Sequence, residues 1–146
     1  SPNGEKYEGE FKNDLKHGDG TLFYVDGSEY IGEFRNNHKH GQGTNVFSSG
    51  NKYTGAFKDG YMHGKGKYEY TNGSNYEGEY ISGYRAGNGT FIDSLGVVYE
   101  GEWSLDLLNG YGNIHDSSGL IFSGQFLFGE RERGKTKFHN ENLYWL

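Results

Sequence analysis

The sequence predicts an all-β fold: an elongated, single-layer, twisted antiparallel sheet, built as a solenoid of stacked β-hairpins with one hairpin per 23-residue repeat. Three observations predict it. Tyr7, Tyr30, Tyr53, Tyr76 and Tyr99 recur at a constant interval of 23 residues, and Phe122 continues the column. Two residues after each stands a glycine, Gly9, Gly32, Gly55, Gly78, Gly101 and Gly124. Two residues later comes a second aromatic column, Phe11, Phe34, Phe57, Tyr80, Trp103 and Phe126. Side chains alternate between faces along a strand, so these three columns share one face and make it aromatic.

The residues between them face the other way. They read Glu8/Glu10, Ile31/Glu33, Thr54/Ala56, Glu77/Glu79, Glu100/Glu102 and Ser123/Gln125, a polar and mostly acidic row suited to a sheet wetted on one side. The glycine between the aromatics is expected to make room for a ring lying flat over the backbone. Further along come Gly-x-Gly pairs at Gly18/Gly20, Gly41/Gly43, Gly64/Gly66, Gly87/Gly89 and Gly110/Gly112. A turn glycine follows at Gly27, Gly50, Gly73, Gly96 and Gly119. Asp26-Gly27 and Asn72-Gly73 predict type I′ hairpin turns, which need positive φ at both central residues; Ser49-Gly50 and Ser118-Gly119 are weaker signals. Strands lie about 4.8 Å apart, so each hairpin advances the array by about 9.6 Å and six give a ribbon on the order of 55 to 60 Å long.

The chain thus reads as a single array spanning 1–146, with repeats beginning at 7, 30, 53, 76, 99 and 122, the last degenerate. Gly4 belongs to the turn column with no complete repeat before it, and the chain starts at Ser1 rather than Met, so the sequence reads as a piece of a longer array. The block Tyr-Glu-Gly-Glu-Phe followed by Lys-His-Gly-x-Gly-Thr, as in Tyr7 to Thr21, resembles the MORN family (membrane occupation and recognition nexus) from residue 4 to about 130. That resemblance implies a binding and scaffolding module, self-association through terminal repeats, and placement at the cytoskeleton or under a membrane. It also leaves open direct binding of anionic phospholipid, or a regulatory segment of a larger enzyme, because such repeats accompany lipid kinases and SET-domain methyltransferases.

Composition narrows the functional classes. With 26 glycines, 13 Tyr and 10 Phe, and only 32% hydrophobic residues, a thick aliphatic core is not available. There is no cysteine, which removes disulfides and thiolate metal sites, suits a reducing compartment and makes a cytoplasmic location the expectation. No apolar run approaches the roughly 20 residues of a membrane-spanning helix. A formal charge of -6 argues against nucleic-acid binding and against a general affinity for acidic membranes. Lys12, Arg35 and Lys58, with Lys16 and Lys39, form a candidate basic strip toward the N-terminal end that phosphoinositide headgroups could contact.

Several patterns suggest chemistry and are outweighed by their context. Gly129 to Thr136 matches the phosphate-loop pattern G-x-x-x-x-G-K-[ST], but a phosphate loop needs a buried strand before it and a helix after it. Neither is expected here, so no nucleotide is assigned. His17, His40 and His63 form one column about 10 Å apart from repeat to repeat, too far for a shared ion with bonds of ~2.1 Å; loop histidines that recur with the repeat are the simpler account, and His38 with His40 could at most join a site between molecules. The acidic pairs Glu77/Glu79 and Glu100/Glu102 lie on the wetted face with no cleft to perturb them. No catalytic residue, metal ligand or cofactor is assigned, and the chain is not expected to be an enzyme.

What remains is the aromatic face. Its rings should pack mainly on one another, with a shallow groove between them partly open to solvent, lined by Tyr30, Phe34, Tyr53, Phe57, Tyr76, Tyr80, Tyr99 and Trp103 and taking a partner helix or extended peptide. The C-terminal third is more apolar than the equivalent positions before it. Leu120, Phe122, Phe126, Leu127, Phe128, Leu143, Tyr144, Trp145 and Leu146 are therefore the expected homodimer contact, with 138–146 as cap or dimer surface. Trp145 falls 23 residues after Phe122, as if a seventh repeat were begun.

Overall fold

In the computed structural model, which describes residues 4–131, twelve strands form one antiparallel sheet in strict sequence order. They are β1 (Lys6–Lys12), β2 (Leu15–Phe23), β3 (Glu29–Arg35), β4 (His38–Val46), β5 (Lys52–Lys58), β6 (Tyr61–Glu69), β7 (Asn75–Ile81), β8 (Tyr84–Ile92), β9 (Val98–Ser104), β10 (Leu107–Asp116), β11 (Gly119–Leu127) and β12 (Glu130–Arg131). Each repeat is a hairpin of one odd and one even strand, and each strand pairs only with its sequence neighbours. The expected fold class, a single layer of stacked hairpins, is the one observed.

The tight turns are not where the Asp-Gly and Asn-Gly signals put them. Positive φ at both central residues occurs at Asn13-Asp14, Asn36-Asn37, Asp59-Gly60, Ser82-Gly83, Leu105-Asp106 and Phe128-Gly129, the two-residue tips of the six hairpins. At Asp26-Gly27 only the glycine is left-handed, with φ 93°. There the Gly27 N–H donates to the Tyr24 carbonyl at 3.1 Å and the Tyr24 N–H to the Ser28 carbonyl at 2.9 Å, so the loop is a longer link to the next hairpin. Asp26 serves it by accepting the Ser28 N–H at 2.8 Å.

A line of paired glycines crosses the sheet at right angles to the strands. Gly9 faces Gly20, which faces Gly32, then Gly43, Gly55, Gly66 and Gly78, and the line continues to Gly124. Register shifts lie beside this line in every odd-to-even pairing that β1 to β10 make, leaving an extra stretch in the even strand. The second glutamate of the repeat closes that bulge. Glu10 accepts the Asp19 N–H at 2.5 Å, Glu33 the Gln42 N–H at 2.5 Å, Glu79 the Asn88 N–H at 2.6 Å and Glu102 the Tyr111 N–H at 2.7 Å. Four of the seven glutamates in the acidic row therefore have a structural task, satisfying amides that the bulge leaves outside the ladder.

The ring lies over a different glycine from the one expected. A side chain at Gly20, Gly43, Gly66 or Gly89, the second glycine of the Gly-x-Gly pair, would collide with the ring of Tyr7, Tyr30, Tyr53 or Tyr76. The glycine between the aromatics instead keeps clear the backbone across the sheet: a Cβ at Gly32 would run into Gly43. Each hydroxyl then bends back to its own strand, Tyr30 donating to the Glu33 carbonyl at 2.7 Å and Tyr53 to the Ala56 carbonyl at 2.8 Å. Because the Tyr53 ring is fully buried and pinned at its far end, it cannot step aside for a methyl group. Gly66→Ala should therefore cost about 2–3 kcal/mol, measured as a lowered urea midpoint, whereas Lys65→Ala beside it should stay within about 0.5 kcal/mol.

Candidate functional site

The two aromatic columns interlock as a continuous edge-to-face zipper. Tyr30 meets Phe34 of its own repeat at 5.0 Å between centroids and Phe57 of the next at 5.0 Å; Tyr53 likewise meets Phe57 at 5.1 Å and Tyr80 at 5.3 Å, and Tyr76 meets Tyr80 and Trp103. A second layer from the linking loops and even strands, including Tyr24, Phe47, Tyr68 and Tyr70, packs over this row. Burial decides the role of the rings. Tyr30, Tyr53, Tyr76 and Tyr99 are completely buried, and Phe34, Phe57, Tyr80 and Trp103 are at most 5% exposed.

The expected groove of partly open rings is therefore corrected: all eight residues assigned to it are core. The error is physical. A bare single layer would leave these rings half wet, but the linking loops fold over them. Only Phe11, in the first hairpin, is open among the two columns, at 62% exposure, because the ring that covers Phe34 comes from the preceding repeat, as Tyr7 at 5.2 Å. Tyr99 departs from the column in one respect, its hydroxyl donating to the Asp93 carboxylate at 3.4 Å.

The cationic strip divides between the two faces. Lys12, Arg35 and Lys58 are exposed on the polar face. Lys16 and Lys39 stand opposite Phe11 and Phe34 on the aromatic face, where Lys39 Nζ lies 5.1 Å from the Tyr30 centroid and donates to Asn45 Oδ1 at 2.5 Å. The five do not make one lipid-facing strip. On the polar face the glycine line floors an open trough of about 640 Å³, walled by Thr54, Lys65, Lys67, Glu77 and Glu79.

The histidine column belongs to strands rather than loops, and two of its members join hairpins, while His40 Nδ1 is buried without a hydrogen-bond partner. His17 Nδ1 accepts the Asn36 N–H at 3.4 Å and His63 Nδ1 the Ser82 N–H at 3.3 Å, both from the next tip. Asn109 does the same for Phe128 at 3.1 Å. Among the described residues no group of three or more His, Cys, Asp or Glu is placed to hold a metal ion. Gly129, which opens the phosphate-loop pattern, is the second residue of a hairpin tip and donates to the Leu108 carbonyl at 2.7 Å; the rest of that pattern after Arg131 lies outside the described residues.

Of the expected dimer residues, Phe122 and Phe126 are core, each 2% exposed. Leu127 and Phe128 are exposed at 61% and 47%. The side chain of Leu120 and the residues Leu143, Tyr144, Trp145 and Leu146, with the whole of 138–146, lie outside what the structure describes. Sequence reasoning missed a row to which Leu127 and Phe128 belong. Tyr61, Ile81, Tyr84 and Leu105 are also exposed, at 59, 58, 49 and 63%, and all flank or form hairpin tips. The signal was available: the tip sequence changes from Lys12-Asn13-Asp14 and Arg35-Asn36-Asn37 to Ile81-Ser82-Gly83 and Leu127-Phe128-Gly129 along the array.

Burial also sets the response to alkali. It raises the phenols of Tyr24 and Tyr53 to about 12, against 10.0 for a free phenol. Between these values the unfolded chain sheds protons that the folded chain keeps, so this contribution is whole below pH 10 and is lost as the pH climbs through 12. Lys39 acts in the opposite sense: burial lowers its ammonium to about 8 from 10.5, so stability rises between those values. Urea midpoints should rise slightly above pH 8 and fall beyond pH 10, with the phenolate absorbance of the buried rings appearing together with loss of β-structure; Lys39→Met should remove the rise and leave the fall.

The family model for the MORN repeat matches residues 7–29, 30–52, 53–75, 76–94 and 99–121. A search of the curated proteins found no match. The β11–β12 hairpin, with Phe122, Gly124 and Phe126 in the repeat columns, continues the array beyond the matched segments.

Proposed function

Because the chain belongs to the MORN-repeat family, whose repeats are binding modules and not catalysts, we propose that it is a protein-binding scaffold that engages its partner along the hairpin tips. The observation that carries this reading is the row Tyr61, Ile81, Tyr84, Leu105, Leu127 and Phe128, each 47–63% exposed and repeated from one hairpin to the next. Contiguous exposed apolar side chains mark contact surfaces, and the tyrosines add large area with little rotamer entropy to lose.

The geometry suits a helix. Hairpins repeat about every 9.6 Å, and seven residues of an α-helix rise about 10.5 Å, so a partner helix with an apolar residue at every seventh position meets one tip after another. Selection of helical peptides against the full chain should enrich that spacing. Ile81→Ser with Leu105→Ser should weaken the selected peptides at least tenfold with the circular dichroism spectrum unchanged, and Lys12→Ser with Arg35→Ser should leave binding intact. Equal binding by the Ile81/Leu105 variant excludes the tips.

Self-association is the second reading, supported by Leu127 and Phe128 on the last described tip. Sedimentation velocity should show a dimer at tens of micromolar, converted to monomer by Leu127→Ser with Phe128→Ser; a wild-type monomer at that concentration overturns it. An anionic-lipid role would rest on Lys12, Arg35 and Lys58 alone, since Lys39 is turned inward.

A further inference from the structure

Four hairpins close the bulge beside the glycine line with a carboxylate of their own. Glu10, Glu33, Glu79 and Glu102 accept the N–H of Asp19, Gln42, Asn88 and Tyr111 at 2.5, 2.5, 2.6 and 2.7 Å. The third hairpin does not. Its bulge lies in the same place, between Gly55 and Phe57, and the equivalent amide is that of Lys65, but the residue in the glutamate column is Ala56. A methyl group accepts no hydrogen bond, so the Lys65 N–H lacks the acceptor that the column supplies elsewhere.

The space for that acceptor is still there. At Gly18, Gly41, Gly87 and Gly110 a Cβ would run into the glutamate carboxylate. At Gly64 the same position meets nothing within 4 Å except the Ala56 Cβ, at 3.3 Å. No other side chain takes the carboxylate's place, and the polar-face trough of about 640 Å³ opens along Lys65, Gly66 and Gly55.

Charge changes at the same hairpin. On the polar face its even strand carries Lys65 and Lys67, where the other four have Asp19 and Thr21, Gln42 and Thr44, Asn88 and Thr90, or Tyr111 and Asn113. Both lysines are exposed, and neither forms an ion pair with a carboxylate among the described residues. Glu79 and Glu77 stand across from them on β7, and the Glu79 carboxylate is engaged by the Asn88 N–H. Acidic neighbours do not prevent such a bond: in the first repeat Asp19 faces Glu33, and its amide still holds Glu10. The third hairpin offers the same amide with a cation on its own residue and another at the next polar-face position, a better electrostatic setting for a carboxylate.

We propose that the third hairpin takes its missing carboxylate from a partner protein, as a glutamate or aspartate side chain that accepts the Lys65 N–H over Gly64, flanked by Lys65 and Lys67. The trough favours a side chain over a free small acid. Its volume of about 640 Å³ far exceeds one carboxylate and leaves room for the segment that bears it, over a floor of Gly55, Gly66 and Gly78. The site lies on the polar face and stands apart from the hairpin tips.

The test titrates the isotope-labelled full chain with acetyl-Gly-Glu-Gly-amide, at ionic strength held constant with sodium chloride, and follows the backbone amides by NMR. The Lys65 amide should move downfield and saturate, while those of Gln42 and Asn88, which already hold Glu33 and Glu79, should stay in place. Acetyl-Gly-Gln-Gly-amide, alike in shape but uncharged, should bind about tenfold more weakly, and sodium acetate should also bind more weakly than the glutamate peptide. Ala56→Glu gives the third hairpin the residue that four others carry; in that variant the Lys65 amide should take the shifted position without ligand and no longer respond to the peptide. An unmoved Lys65 amide, equal binding of the glutamine peptide, tighter binding of inorganic phosphate, or a response that survives Ala56→Glu overturns the site. Acetate binding as tight as that of the glutamate peptide overturns the assignment to a protein side chain. The wild-type titrations decide the matter even if the variant does not fold.

Discussion

Everything in this sheet depends on backbones meeting without side chains between them along the glycine line. At Gly32 and Gly43 the two strands oppose each other with no room for a Cβ, and the Tyr30 ring occupies the space above. That close approach lets a ring lie over the neighbouring strand while its hydroxyl reaches back to a carbonyl of its own strand. Buried aromatic side chains bury about 150–250 Å² each and gain a further ~0.5–1.5 kcal/mol from edge-to-face contact. A single layer with few aliphatics acquires a core in this way.

The bulge and the acidic column follow from the same constraint. Bringing the glycines together displaces the even strand, and the displaced amide finds the glutamate carboxylate of the facing strand, as Asp19 finds Glu10. Ala56 replaces that glutamate in the third repeat, and there the polar-face trough opens along the neighbouring Gly55 and Gly66. One substitution in a repeated column thus changes the surface without disturbing the columns behind it.

Much of this was legible in the sequence because the repeat is strict. The period, the strand direction of the Tyr, Gly and Phe columns, and the hairpin per repeat are all written in spacing. The turn positions were not, since Asn13 and Asp14 adopt positive φ without a glycine to announce it, while Asp26-Gly27 carries the familiar signal in a longer link. Burial of Tyr53 and its equivalents was not legible either. It depends on Tyr24, Phe47 and Tyr70 folding over the rings, and those positions follow no alternation that a strand pattern reports.

The backbone-to-backbone bonds that join successive tips run in one sense. Asn37, Gly60, Gly83, Asp106 and Gly129 each donate their N–H to a carbonyl of the hairpin before, at Lys16, Lys39, Met62, Arg85 and Leu108. In these backbone bonds the earlier rung presents the acceptors and the later one brings the donors. A chain made from its N-terminus offers each emerging hairpin a finished template on which its turn is set, whereas a hairpin formed ahead of its predecessor has amides with nothing to meet. In its backbone bonding the ribbon has a head and a tail.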